Sequence, residues 1–129
     1  MAESFPDIRV LHPECSFLDE SLSERIAMRA IQSDSELRGI YLTSAGREGV
    51  YRAVHAAHRS EKLHIVVHDV TEGNIKMVKN GTVDFIIGQD VNTQGTLPIR
   101  LLYDYLERHR FPKERMNMTD ITIKFRGNV

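Results

Sequence analysis

Short apolar runs rich in β-branched residues alternate along this chain with longer stretches of helical spacing. This alternation is typical of βαβ units. Two middle runs contain the uninterrupted triplets Ile65-Val66-Val67 and Phe85-Ile86-Ile87, which favour a parallel sheet covered on both faces. The sequence therefore predicts a three-layer α/β/α fold around an open parallel sheet, with strands at residues 8–11, 40–43, 63–67 and 83–87. A last run, residues 121–125, alternates apolar and polar residues, which predicts a strand at an edge or outside the main sheet.

Four stretches with helical spacing separate these runs. In the first, Ser16 fits a capping box, and an apolar stripe runs to about Ser33. The second opens near Gly46, and the third, from about Asn74, ends at Asn80-Gly81, a pair that favours a left-handed helix stop. The apolar stripes of the first two are Leu18, Leu22, Ile26 and Ala30, then Val50, Val54 and Ala57.

The fourth helical stretch carries a long apolar stripe. Because Pro98 lacks an amide hydrogen, it fits best in a first turn, so this helix is predicted to begin near residues 94–96. Its stripe consists of Leu97, Leu101, Leu102, Tyr105 and Leu106.

Charge and cysteine content exclude some functions. The 129 residues include 17 Lys plus Arg and 18 Asp plus Glu, a net charge of −1, so nonspecific electrostatic binding to DNA is not the main function. The single cysteine, Cys15, excludes an intramolecular disulfide, and no apolar run reaches the roughly 20 residues that span a bilayer. Residues 1–7 do not resemble an export signal, so a cytoplasmic location is expected.

Polar residues follow the predicted strands at their carboxyl ends, where open α/β sheets bind ligands. Asp69 follows the third strand, Gln89 ends the next one, and Thr43-Ser44 follow the second. Carboxylate and amide groups suit sugar hydroxyls. Two structural alternatives stay open: Asp69 as a cap of the following helix, and Gln89 as a turn residue.

Residues that suggest metal binding or catalysis lack the patterns those activities require. His55 and His58 share a helix, but no nearby carboxylate or cysteine completes a metal-binding motif. Ser44 is not in a G-x-S-x-G elbow, and Cys15 has no identifiable orienting group. The expectation is a non-catalytic protein with no metal or cofactor.

Several segments together resemble the lactose-repressor family of transcriptional regulators, which has the type I periplasmic sugar-binding fold. They are Gly39-Ile40-Tyr41-Leu42-Thr43, residues 49–53, Ile65-Val66-Val67-His68-Asp69-Val70-Thr71, residues 78–90, and Gln94-Gly95. The resemblance covers most of the chain from the first predicted strand onward.

This resemblance implies that the chain is the C-terminal half of a two-lobed ligand-binding domain, residues 1–129 forming one lobe. Asp69 would hydrogen-bond sugar hydroxyls and Gln89 would lie at the cleft between lobes. The pair that is commonly Asn-Asp in the family is Thr43-Ser44 here, which leaves the ligand's identity open. The helix at residues 94–110 would belong to the missing lobe.

The implied function is that of a sugar-sensing lobe of a DNA-binding regulator. Operator DNA would be bound only through a headpiece absent from this chain, and related regulators pair through this lobe, so a homodimer is expected. Two alternatives stay open: a lobe of an exported sugar receptor for a transport system, and an enzyme of flavodoxin-like architecture, for which no acid-base set is identifiable.

Overall fold

The computed structural model describes residues 4–60 and 62–129. Four helices and four strands occur in this order: α1 (Glu20–Ser33), β1 (Gly39–Leu42), α2 (Arg47–Ala56), β2 (His64–His68), α3 (Glu72–Lys79), β3 (Phe85–Gln89), α4 (Val91–Arg108) and β4 (Ile121–Lys124). The described chain forms two compact units. The first contains residues 4–37 and 45–59, and the second contains residues 38–44, 60 and 62–129.

In the first unit, α1 and α2 pack closely together. At Gly49 a Cβ atom would lie 1.9 Å from the backbone oxygen of Glu20, so only glycine permits this approach. The Arg52 Nε atom donates to Glu24 across the same pair of helices at 2.8 Å. As predicted, α2 opens after Gly46, which has a φ of 89°, and Val50 and Val54 are buried.

The first helix starts later than the sequence predicted. Its N-cap is Asp19, whose carboxylate accepts from the Leu22 N–H at 2.6 Å, so the Ser16 cap is wrong. The reason is the backbone before it: Phe17 and Leu18 have φ values of 50° and 67°, which a right-handed helix cannot contain. The predicted end at Ser33 is confirmed, but the buried residues are Ser23, Ala27 and Ile31, one position away from the predicted stripe.

The strand predicted at residues 8–11 does not form. Ile8 and Val10 are instead 54% and 64% exposed. A β-branched composition favours an extended backbone, but a strand also needs a neighbouring strand to satisfy its N–H and C=O groups. Residues 8–11 belong to the first unit, whereas all four observed strands belong to the second.

The second unit is built on a four-stranded sheet in the order β1-β2-β3-β4. The first three strands are parallel, with Ile40 opposite Ile65 and Val67 opposite Ile86. The last strand is antiparallel, with Gln89 opposite Ile121, so the sheet is mixed rather than wholly parallel. The prediction that residues 121–125 lie at an edge is confirmed.

One face of this sheet forms the core of the second unit. Ile65, Val67 and Ile86 are fully buried there, and Val78 of α3 is only 1% exposed. As predicted, α3 stops at Asn80, and Gly81 follows with a φ of 83°. The side chains that alternate with this face are more exposed, and they include Tyr41, Phe85, Ile123 and Phe125.

The last helix differs most from its prediction. α4 begins at Val91, with Asp90 as its N-cap accepting from the Thr93 N–H at 3.0 Å, so the start predicted near residues 94–96 is wrong. Asp90 is a residue type strongly preferred as an N-cap, and because the helix begins after it, Pro98 lies inside the helix. No residue of α4 is buried, and Leu102, Tyr105 and Leu106 of its apolar stripe are 57%, 44% and 59% exposed. None of the described helices is long and apolar enough to cross a bilayer.

Candidate functional site

The carboxyl ends of the three parallel strands meet at one edge of the sheet. Thr43 follows β1, Asp69 follows β2, and Gln89 is the last residue of β3. Because β4 is antiparallel, its first residue, Ile121, lies at the same edge beside Gln89. Asp69, Gln89, Thr43 and Ser44 therefore lie at one edge of the sheet, where the order of strands and helices predicts them.

A chain of hydrogen bonds connects three polar side chains along this edge. The Gln89 Nε2 atom donates to Asp69 Oδ1 at 3.1 Å, and the Gln94 Nε2 atom donates to Gln89 Oε1 at 3.2 Å. Gln94 Nε2 also donates to the Thr119 hydroxyl at 3.2 Å. The Asp69 carboxylate only accepts, so the Gln89 amide turns its Nε2 atom towards it, and the Gln89 Oε1 atom in turn requires a donor from Gln94.

Asp69 sits in an unusual backbone conformation. Its φ is 72°, in the left-handed region that aspartate tolerates better than most residues. Asn74 of α3, which is 3% exposed, fixes the turn by donating from Nδ2 to the backbone oxygens of His68 and Asp69 at 3.0 and 2.7 Å. A strained residue held by a buried partner is common at binding sites. Here it directs the carboxylate of Asp69 towards Gln89.

The alternative role of Asp69 as a helix cap is wrong. The N-cap of α3 is Thr71, whose hydroxyl accepts from the Asn74 N–H at 3.2 Å. Gln89 is likewise a strand residue rather than part of a turn. The carboxylate at this edge with a capping role is Asp90, the N-cap of α4. Its hydrogen bonds from the Thr93 side chain and backbone hold the pKa of this carboxyl below its usual value.

Thr43 and Ser44 lie at the same edge but do not join this chain of hydrogen bonds among the residues described. Both are exposed. On the neighbouring strand, the His68 Nε2 atom is hydrogen-bonded to the hydroxyl of Tyr41. The site that the structure assembles is therefore centred on Asp69 and Gln89.

Sequence reasoning missed three residues that shape this site. The sequence predicts Gln94 at the start of a helix that packs on another lobe, although its position soon after Gln89 is part of the motif. Asn74 is predicted at the start of the third helix, and no signal indicates that its amide turns back to the preceding strand. Thr119 is 25 residues from Gln94, and no local pattern reveals that contact.

The arrangement offers hydrogen-bonding groups to a ligand. Asp69 Oδ2 and Gln94 Oε1 can accept, and the second Nε2 hydrogen of Gln89 can donate. Asp69 is half-buried, and Gln89 and Gln94 are exposed, so these groups remain accessible. Within residues 4–60 and 62–129, no three His, Cys, Asp or Glu side chains are close enough to hold a metal ion.

The fold and this edge define a class: an α/β lobe of the type I periplasmic-binding-protein-like kind, with polar groups where such sheets bind ligands. A family model described as periplasmic binding protein domain matches residues 1–110. The chain therefore belongs to the periplasmic binding protein domain family. Among curated proteins, none matches it in sequence.

Solved structures agree with this fold assignment. An ABC transporter solute-binding protein from Agrobacterium vitis, bound with α-D-tagatopyranose, has a TM-score of 0.86 and 20% identity over 98% of this chain and 42% of its own. GanP, a glucose-galactose binding protein from Geobacillus stearothermophilus, has a TM-score of 0.86 and 17% identity over 99% of this chain and 46% of its own.

A sugar-binding protein of a sugar ABC transporter from Bacillus halodurans has a TM-score of 0.82 and 24% identity over 98% of this chain and 48% of its own. The chain thus spans less than half the length of each of these relatives. Two of these structures are described as ABC transporter proteins and GanP as a glucose-galactose binding protein, and none of the three supports the regulator identity expected from the sequence.

Proposed function

We propose that this chain is one sugar-binding lobe of a two-lobed, non-catalytic solute receptor of the kind that serves ABC transporters. The observation that carries the proposal is the hydrogen-bonded chain Asp69-Gln89-Gln94 at the carboxyl edge of the sheet. The family membership supports it, and so do structural relatives that were solved with bound tagatose and fucose.

The chemistry of the edge suits a polyol. A sugar presents several hydroxyls in a fixed array, and each hydroxyl donates once and accepts from others. Acceptors and donors alternate along the edge in the same manner: an acceptor on Asp69, a donor on Gln89 and an acceptor on Gln94. The ionised Asp69 makes the strongest contact, because hydrogen bonds to a charged group contribute about 1.5–3 kcal/mol.

The second lobe is expected to cover α4 in the intact protein. The structural relatives of this chain are more than twice as long as the chain itself. No residue of α4 is buried here. We therefore assign residues 94–110 to packing on the missing lobe. Without that opposing wall the isolated chain should bind a sugar only in the millimolar range or more weakly, which corresponds to about 4 kcal/mol.

The experiment is a titration of the isotope-labelled 129-residue chain with single sugars, followed by NMR. The panel contains the sugars named for the relatives: D-tagatose, D-fucose, D-allose, glucose, galactose and arabinose. Binding should shift the backbone amide signals of Asp69 and Gln89. Asp69→Asn keeps the shape and tolerates the left-handed turn, and it should weaken binding at least tenfold.

Asp104→Asn is the matched control, because Asp104 pairs only with Arg108 on the exposed α4 in the described structure. It should leave the sugar affinity unchanged. Wild-type affinity in the Asp69→Asn protein, or no shift at Asp69 with any of the six sugars, would remove this edge as a sugar site.

A sugar-sensing regulator is the second candidate, favoured by the motif from Asn80 to Gln94 that resembles the lactose-repressor family. This second function implies a cytoplasmic location, a homodimer and binding to operator DNA through a separate headpiece. Fractionation of the source cells separates the two candidates, since a transport receptor is exported and a regulator stays inside. Retention of the full-length protein on genomic DNA in a sugar-dependent manner would favour the regulator.

A further inference from the structure

The sheet of the second unit has another face, opposite the one that forms its core. Side chains alternate along a strand, so the strand neighbours of the buried Ile65, Val67 and Ile86 project from this other face. The apolar side chains of this outer sheet face are Tyr41, Val66, Phe85, Ile87, Ile123 and Phe125.

Four of these residues form a row that crosses the whole sheet. Tyr41 on β1 is opposite Val66 on β2, and Val66 is opposite Phe85 on β3. Phe85 contacts Phe125, which directly follows β4, with the ring centroids 6.4 Å apart. The Tyr41 hydroxyl is hydrogen-bonded to Nε2 of His68, so a partner can cover this ring without leaving a polar group unsatisfied. The row is therefore a continuous apolar strip.

The outer sheet face leaves enough apolar surface uncovered to stabilise a dimer. Tyr41 and Ile123 are 58% and 59% exposed, and Phe85 and Phe125 are 45% and 44% exposed. Because an aromatic side chain can bury about 150–250 Å², the face leaves roughly 500 Å² uncovered, near the upper end for the largest apolar patch on a monomer. Two copies face to face, with the residues at their borders, would reach the roughly 1,200 Å² at which specific interfaces begin.

The charge pattern favours a second copy of this chain over a different partner. Of the side chains that the described strands place on this face, none is that of Lys, Arg, Asp or Glu, and His64 at its border pairs with Asp84. The face therefore meets its own copy without like charges, and it offers no ion pair that would select another protein. Two sheets also match in shape, since apolar sheet faces pack about 10 Å apart with interdigitated side chains.

We infer that the outer sheet face is a self-association surface, through which two copies of this chain form a two-fold symmetric dimer. In such a contact each copy contributes the same residues. Phe85 is in the middle of the face and should contribute most, because side chains near the centre of an interface lose the most water. The inference is independent of the proposed sugar binding, because the surface shares no residue with the Asp69-Gln89-Gln94 chain or with α4.

Analytical ultracentrifugation of the 129-residue chain measures the association. The wild type should be a dimer with a Kd in the micromolar range or tighter. Phe85→Glu introduces one carboxylate per copy into the apolar centre of the interface, so it should weaken association at least about 100-fold. A wild type that stays monomeric at about 100 μM would overturn the self-association surface.

Leu102→Glu is the matched control. Leu102 is 57% exposed on α4, so the same residue is introduced at a similarly exposed apolar position outside the outer sheet face. This variant should remain a dimer. Association that survives Phe85→Glu, or that Leu102→Glu weakens as much as Phe85→Glu does, would overturn the proposal.

Two further measurements keep the test valid if Phe85→Glu does not fold, which circular dichroism reports. Ile123→Glu makes the same change on the edge strand β4 and should also abolish the dimer. Isotope-filtered NMR on a mixture of labelled and unlabelled wild type locates the interface without any substitution. NOEs between copies should connect the rings of Tyr41 and Phe85 to the methyl groups of Ile87 and Ile123. Contacts between copies that involve only α4 or only the first unit would overturn the surface.

Discussion

The turn that carries Asp69 depends on one buried side chain, and Asn74→Ala removes it. Asn74 makes two hydrogen bonds to backbone oxygens, at 3.0 and 2.7 Å, and is 3% exposed. At about 1 kcal/mol net for each neutral hydrogen bond, the variant should lose about 2 kcal/mol in the free energy of unfolding. For a chain of this size that corresponds to a fall of roughly 8 °C in melting temperature.

The same substitution should also weaken sugar binding several-fold. Without the Asn74 amide, the turn keeps the backbone hydrogen bonds from Asp69 to Ile87 and from Thr71 to Asp69 but loses its buried side-chain partner, so the Asp69 carboxylate spends less time directed towards Gln89. Both effects follow from one cause, and they are measured separately: the unfolding free energy by urea titration with circular dichroism, and the affinity by NMR titration.

Asn80→Ala is the matched control, because Asn80 is of the same residue type and caps the C-terminal end of the same helix. Asn80 is exposed, and its side chain accepts from the Thr82 N–H at 3.0 Å, away from Asp69. It should lose at most about 1 kcal/mol and keep its sugar affinity. If Asn74→Ala is no less stable than Asn80→Ala, or binds sugar as the wild type does, Asn74 does not hold the turn.

Three further predictions concern stability. Asp69→Gly should be as stable as the wild type or up to about 1 kcal/mol more stable, because glycine adopts a φ of 72° freely. The variant should nevertheless lose sugar binding. A clear loss of stability in urea would contradict the left-handed turn. Gly49→Ala should lower the free energy of unfolding by about 3 kcal/mol or more, since its Cβ would meet the Glu20 backbone oxygen at 1.9 Å. Gly95→Ala has open space and should raise the free energy of unfolding by up to about 1 kcal/mol. Equal urea midpoints for the two variants would refute the close α1–α2 packing. Tyr51→Phe removes a buried hydroxyl without a hydrogen-bond partner among the described residues, so it should stabilise the protein by roughly 1 kcal/mol. Burial raises the pKa of Tyr51 from 10.0 to about 12, so the tyrosine ionises first in the unfolded chain. The stability of the wild type should therefore fall as the pH rises from 10 to 12. Urea midpoints compared across that range should show no such fall for Tyr51→Phe.

Local patterns in the sequence determined much of the second unit. The continuous apolar runs predict β2 and β3, although only alternate residues of these strands, Ile65, Val67 and Ile86, are fully buried. Asn80-Gly81 predicts the end of α3 because glycine adopts a positive φ without strain. The position of Asp69 and Gln89 at the carboxyl edge follows from the order of strands and helices. These features depend on near neighbours in the chain, so the sequence alone was sufficient for them.

Other features were decided by contacts between distant residues. Residues 8–11 have the composition of a strand, but a strand forms only where a neighbour supplies the other half of its hydrogen bonds, and composition does not specify that neighbour. α4 begins at Val91 because the Asp90 carboxylate accepts from the Thr93 N–H and caps the helix there. The spacing of apolar residues does not reveal which residue caps a helix. The orientation of the site depends on Asn74 reaching back to β2 and on Thr119 meeting Gln94. Side-chain hydrogen bonds of this kind have no periodicity, so they exist only once the tertiary structure brings their partners together.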